Sequence, residues 1–137
     1  MALKGIDPIL TGPLLAHLDA MGHSDSVVIG DANFPAHRLA TRLVELPGLT
    51  TPEVVRAIRT VVPLDDGLSV ALMSDGGPPL PVQDDLVAAA DAEPAAVEYL
   101  ERQKFYDAAA AAYLVVRTGE ERGYANAIIR KGFVGTS

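Results

Sequence analysis

The chain has 137 residues, 49% of them hydrophobic, which suits a single domain spanning residues 1–137 with a sizeable core. A net charge of −7 with no Lys/Arg cluster excludes nucleic acid and anionic membrane surfaces as partners, and no apolar run approaches the ~18 residues of a membrane span. Cysteine is absent, which excludes disulfides, thiolate metal sites and a cysteine nucleophile; with no signal-peptide-like run at the start, a reducing, cytoplasmic location is expected.

In chain order, the first periodic segment is Pro13 to Met21, where Leu14, Leu15, Leu18 and Met21 share one helical face. Gly22 follows where a left-handed residue would end that helix, and His17 falls off the stripe, on the exposed side. Ser26 to Gly30 reads as a buried strand, with Asp31 just past its carboxyl end. Arg42 to Leu46 suggests a further short strand. Thr51-Pro52-Glu53 marks a helix start with Thr51 as N-cap, and Val54, Val55, Ile58, Val61 and Val62 then form one apolar stripe. Leu68 to Met73 reads as a second buried strand. Asp75-Gly-Gly-Pro-Pro is a turn, because prolines after the glycines supply no N–H groups for an anion. Helices are predicted near 81–92 and 101–111, and strand-like runs at 113–117 and 125–130. Strands interleaved with helices predict an α/β fold: a three-layer α/β/α domain with a mixed central sheet.

Chemistry-bearing residues concentrate in two stretches. The first is Met21-Gly-His-Ser-Asp25 with Asp31-Ala-Asn-Phe-Pro-Ala-His37. Ligand sites in open α/β sheets gather at the carboxyl ends of strands. Asp31 can accept hydrogen bonds from a ligand's hydroxyls there, or simply cap the next turn. His23, His37 and Asp31 are the residue types of a two-His, one-carboxylate metal set, but no metal-binding spacing accompanies them, and no metal is expected. Nucleophile elbows and phosphate-cradling glycine motifs are missing. The second stretch is Arg117-Thr-Gly-Glu120 to Asn126. Tyr124 and Asn126, two apart on a predicted strand, would face the same side. They can read a hydroxyl pattern, or pack an edge strand and end a turn. Arg102 and Lys104, beside Tyr99, Phe105 and Tyr106, read as a solvated helix face with its aromatics turned inward.

These motifs together resemble the L-fucose mutarotase and D-ribose pyranase family over nearly the full length. The resemblance is carried by Leu3-Lys-x-Ile-x-Pro-x-Leu10, Met21-Gly-His-x-Asp25, Asp31-Ala-x-Phe-Pro-Ala-His37, Arg117-Thr-Gly-Glu120 and Tyr124-x-Asn126. The Phe-Pro-Ala-His ending is similar to the fucose branch, although Asn33 stands where that branch often has histidine. The resemblance implies a cofactor-independent isomerase that interconverts the anomers of a free monosaccharide, L-fucose or a related sugar. The alternatives are a ribose pyranose–furanose interconversion or a non-catalytic sugar-binding module. It further implies His23 as general acid, Asp31, Arg102, Tyr124 and Asn126 as sugar contacts, and a pentameric or decameric ring whose sites are shared between subunits.

The residue types suit that reaction. Ring opening needs a proton delivered to the ring oxygen and another removed from the anomeric hydroxyl; closure reverses both. Neither step requires redox chemistry or a metal. Histidine ordinarily titrates near neutrality, where general acid–base catalysis is most effective. The accepting base is left open among Tyr124, water and the same imidazole.

Overall fold

The computed structural model describes residues 3–136. The elements run α1 (Gly12–Ala20), β1 (Ser26–Gly30), α2 (Ala36–Leu39), β2 (Leu43–Leu46), α3 (Thr51–Arg59), β3 (Val70–Met73), α4 (Pro81–Ala90), β4 (Val97–Leu100), α5 (Arg102–Ala110), β5 (Leu114–Thr118) and β6 (Ala127–Arg130). A 3-10 turn at Pro94–Ala96 leads into β4. The strands form one mixed sheet in the order β2-β5-β1-β6-β3-β4. Strand β6 runs antiparallel to both β1 and β3, while the other pairings are parallel.

Alternation along the central strands separates two cores. Val27, Ile29, Leu114, Val116 and Ile129 pack with α1, α3 and α4 on one face. Val28, Val115 and Ile128 pack with α2 and α5 on the other. The expected three-layer arrangement follows, because each strand residue pointing away from one helix layer must find another.

Several local expectations are corrected. The N-cap of α3 is Thr50, not Thr51: the Thr50 hydroxyl accepts from the Glu53 N–H, and the Glu53 carboxylate accepts from the Thr50 N–H, a reciprocal cap. Thr51 is instead fully buried, its hydroxyl 3.5 Å from the Glu120 carboxylate. Gly22 does not end α1 in the left-handed region; Met21 leaves the helix extended, and the Lys131 ammonium donates to the Leu18 and Met21 carbonyls at 2.8 and 2.6 Å. The left-handed residue is Ser24, with φ 74°. Val61 lies past the end of α3 and is exposed, while Val62 is buried. His17 is half-buried and meets the Tyr113 ring edge-on. Phe105 turns inward as expected, but Tyr99 lies exposed on the edge strand β4.

One connection creates the site. Strand β5 and strand β6 lie on opposite sides of β1. The segment joining them, residues 119–126, must therefore cross over the carboxyl end of β1. The Ala32 N–H donates to the Glu120 carbonyl at 2.9 Å, and the Asp31 N–H donates to the Asn126 side-chain oxygen at 2.7 Å. Tyr124 and Asn126 thus lie in this crossing and not on a strand as expected, since β6 begins only at Ala127.

Candidate functional site

Beneath the crossing lies a cavity of about 180 Å³, lined by Asp31, Asn33, Phe34, Met73, Arg102, Tyr106, Gly123, Tyr124 and Asn126. It sits at the carboxyl ends of β1, β3 and β4, beside the point where the chain reverses into β6. Asp31, Arg102, Tyr124 and Asn126, four residues singled out in the sequence, meet here from well-separated parts of the chain.

Each has a local reason for its position. Asp31 leaves β1 and folds its carboxylate back to accept the Asn33 N–H at 3.0 Å. The turn-capping role is therefore realised in the same side chain that lines the cavity. Burial pushes the Asp31 carboxyl above its ordinary value; hydrogen bonds from the Asn33 backbone and the Asn126 side chain oppose this, and the neighbouring Glu120 charge adds to it. With its oxygen engaged by the Asp31 N–H, Asn126 presents its amino group as a donor. Arg102 opens α5, and Tyr106 follows one turn later on the same face. Glu101 caps that helix by accepting the Gln103 and Lys104 N–H groups. Phe34 stands edge-on to Phe105 and Tyr106, with centroids 6.0 and 5.8 Å away, and supplies an apolar wall. It folds so closely over Gly30 that a Cβ there would lie 2.8 Å from its own Cβ.

The crossing is held by a buried charge. Glu120 is only 4% exposed, and its carboxylate accepts from Arg122 Nε and Nη2 at 3.0 and 2.9 Å. Arg122 also reaches Asp85 on α4 at 3.2 Å. The Arg122 guanidinium holds the Glu120 carboxyl below its ordinary value. Tyr124 adopts φ 56°, which turns its backbone sharply ahead of Asn126.

His23 lies elsewhere in the chain's own fold. It precedes the amino end of β1, whereas Asp31 follows the carboxyl end, so the strand's full length separates them. There the imidazole Nε2 meets Asp65 Oδ1 at 2.9 Å. The other Asp65 oxygen accepts from the Ser24 hydroxyl and Arg130 Nε, both at 2.9 Å. The His23 hydrogen bond, with those from Ser24 and Arg130, holds the Asp65 carboxyl down at about 2. The imidazole is 55% exposed on its side chain, and the exposed Phe133 ring meets it edge-on at 6.0 Å. Sequence reading missed Asp65. It lies 42 residues from His23, and no local pattern joins them. His37 pairs instead with Glu45 at 3.4 Å. His23, His37 and Asp31 are therefore not assembled, and among the described residues no group of three or more His, Cys, Asp or Glu side chains is placed to hold a metal ion.

A mixed α/β sheet carries at its carboxyl edge a small, largely apolar-walled cleft in which Asp31, Arg102, Tyr124 and Asn126 offer hydrogen-bond donors and acceptors. Residues 4–134 match the model of the RbsD / FucU transport protein family, and the chain belongs to that family. An L-fucose mutarotase of Glaesserella parasuis is 37% identical over 95% of this chain and 94% of its own length. The fucose mutarotase of Mus musculus is 34% identical, covering 96% of this chain and 95% of its own. The structure superposes on the fucose mutarotase of Streptococcus pneumoniae in complex with L-fucose with a TM-score of 0.89, at 32% identity, covering 97% of this chain and 100% of the other. The Bacillus subtilis RbsD complexed with D-ribose shares the fold, with a TM-score of 0.76 at 23% identity. Among the described residues no helix is long and apolar enough to cross a membrane.

Proposed function

We propose that this chain is a sugar mutarotase, an isomerase exchanging the α and β anomers of a free monosaccharide, with L-fucose the preferred substrate. The observation that carries this reading is the convergence of Asp31, Arg102, Tyr124 and Asn126 on one cavity in a fold so similar to a fucose-bound mutarotase. Asp31 accepts hydrogen bonds from sugar hydroxyls, while Arg102 and the Asn126 amino group donate to them. The wall of Phe34 and Met73 suits the apolar face of the sugar.

His23 protonates the ring oxygen, and it does so from a neighbouring copy. One copy does not bring its own imidazole to its own cavity, so the working unit in this reading is a homo-oligomer, for which the family resemblance implies a pentameric or decameric ring. Asp65 travels with His23 as its positioning carboxylate. It occupies Nε2 and leaves Nδ1 for the sugar. The proton of the anomeric hydroxyl leaves through the Tyr124 phenol, whose oxygen accepts it as its own hydroxyl proton passes to water, or leaves to water directly. No carbon–carbon or carbon–hydrogen bond breaks, and the protons lost and gained balance over one opening and closing. A cytoplasmic location fits a substrate met after uptake.

Saturation-transfer NMR of anomeric protons tests this on L-fucose, D-galactose and D-ribose side by side. Accelerated exchange, fastest on fucose, supports the reading. Acceleration on ribose alone assigns the pyranose–furanose reaction instead. Binding without acceleration reduces the protein to a sugar-binding module.

A further inference from the structure

Gln83 takes no part in the chemistry above, yet both atoms of its buried amide are engaged beside the cavity. It lies in the first turn of α4 and is 2% exposed. Its Nε2 donates to the Met73 carbonyl at 2.6 Å and to the Tyr124 carbonyl at 3.3 Å. Its Oε1 accepts the Leu80 N–H at 3.0 Å. One amide therefore ties together the end of β3, the start of α4 and the crossing segment. Both carbonyl-bearing partners, Met73 and Tyr124, line the cavity.

The Tyr124 end of this tie matters most. A tyrosine at φ 56° occupies a region that residues with a Cβ enter only when their surroundings hold them there. Upstream, the Glu120–Arg122 pair anchors the segment; downstream, Asn126 is bonded to the Asp31 N–H. Between those anchors, among the described residues, the Gln83 amide is the hydrogen-bond partner of the Tyr124 carbonyl. Only an uncharged amide fits this role. Two carbonyls facing one atom need two donors, and the Leu80 N–H needs an acceptor on the same group. Glutamate would present acceptors to carbonyls, and leucine would leave all three backbone groups unanswered.

We propose that Gln83 is a positioning residue for anomeric exchange, fixing the backbone of Tyr124 so that its phenol is presented to the sugar. This rests on the mutarotase reading. It adds to that reading a residue that touches no substrate.

The test measures exchange kinetics, sugar affinity and thermal midpoint for wild type, Gln83→Leu and Gln83→Glu, each also combined with Tyr124→Phe. A misplaced reacting group typically costs up to about 100-fold in rate. Gln83→Leu is therefore expected to lower kcat by roughly 10- to 100-fold, with a smaller change in KM. In the Tyr124→Phe background the same change is expected to cost less than about twofold, since the phenol it positions is gone. If that background shows no rate above spontaneous exchange, the cycle is read on sugar affinity. Gln83→Glu keeps the shape and covers the case of a leucine variant that does not fold. Its rate relative to wild type is expected to rise as pH falls, because the protonated carboxyl regains a donor. A purely structural role predicts a lower thermal midpoint with unchanged kcat per folded site; a general disturbance of the site predicts equal rate losses in both backgrounds. Either result overturns the proposal, as does a kcat within twofold of wild type for both variants. Absence of exchange in the wild type overturns the mutarotase reading instead.

Discussion

Mixing two inactive variants tests whether a site draws on two copies. His23→Gln removes the acid but retains a group able to bond Asp65; Tyr124→Phe damages the cavity and leaves the acid intact. Each alone is expected to lose on the order of 10²–10⁴ in exchange rate, the usual worth of a general acid or base. The geometry makes a strong statement about the mixture. Strand β1 has five residues, Ser26–Gly30, which at about 3.3 Å per residue puts roughly 16 Å between its ends before the flanking turns are counted. A single sugar in the cavity cannot span that to reach the imidazole of its own copy. In oligomers assembled from equal amounts of the two variants, a site is whole only when the His23→Gln copy supplies the cavity and the Tyr124→Phe copy supplies the imidazole. Random assortment gives this for about one quarter of sites. Co-expressed, differently tagged variants, purified through both tags and assayed by anomeric NMR, should recover activity on that scale. Activity no greater than the sum of the two separate variants would refute the shared site.

Three further outcomes follow from charge and packing. Asp31→Asn should raise the thermal midpoint at neutral pH while abolishing exchange. The folded-state pKa of Asp31 is raised, so ionisation weakens the fold as pH climbs through that value, and an uncharged isostere escapes the penalty. Asp65 has the opposite sign. Its contribution is complete above the ordinary carboxyl value of 3.8 and fades as pH falls toward about 2, so wild-type stability should drop across that window and Asp65→Asn should flatten that part of the acid-denaturation curve. The same variant should slow exchange by about 10-fold or more through a disordered imidazole. Gly30→Ala should push Phe34 toward the sugar, raising KM and costing about 1–3 kcal/mol of stability by overpacking, measured by kinetics and urea titration.

The layers and most helices were legible because their signals are local. The α3 stripe, Pro52 and Glu53 announce a helix whatever lies around it, and only the cap shifted by one residue, to Thr50. Strand β4 escaped notice because an edge strand half-covered by other elements need not alternate; it reads Val-Glu-Tyr-Leu after a proline-led 3-10 turn. Asp31, Tyr124 and Asn126 are carried by motifs, whereas Arg102 reads locally as a solvated helix face and Met73 as the end of a buried strand; Tyr124, expected on a strand, lies in the crossing. Nothing in its neighbours reveals that the chain must pass over β1 to reach β6. Asp65 and Gln83 were invisible for a related reason. Their meaning lies in partners 42 and 41 residues away, and either side chain alone is an ordinary surface acid or helix amide.

The imidazole–carboxylate pair and the cleft lie at opposite ends of one strand. If the site is shared as proposed, a solitary copy would hold halves of two different sites and a whole one of neither. Turnover per mole of chain would then collapse on dilution below the assembly threshold, long before any copy unfolds.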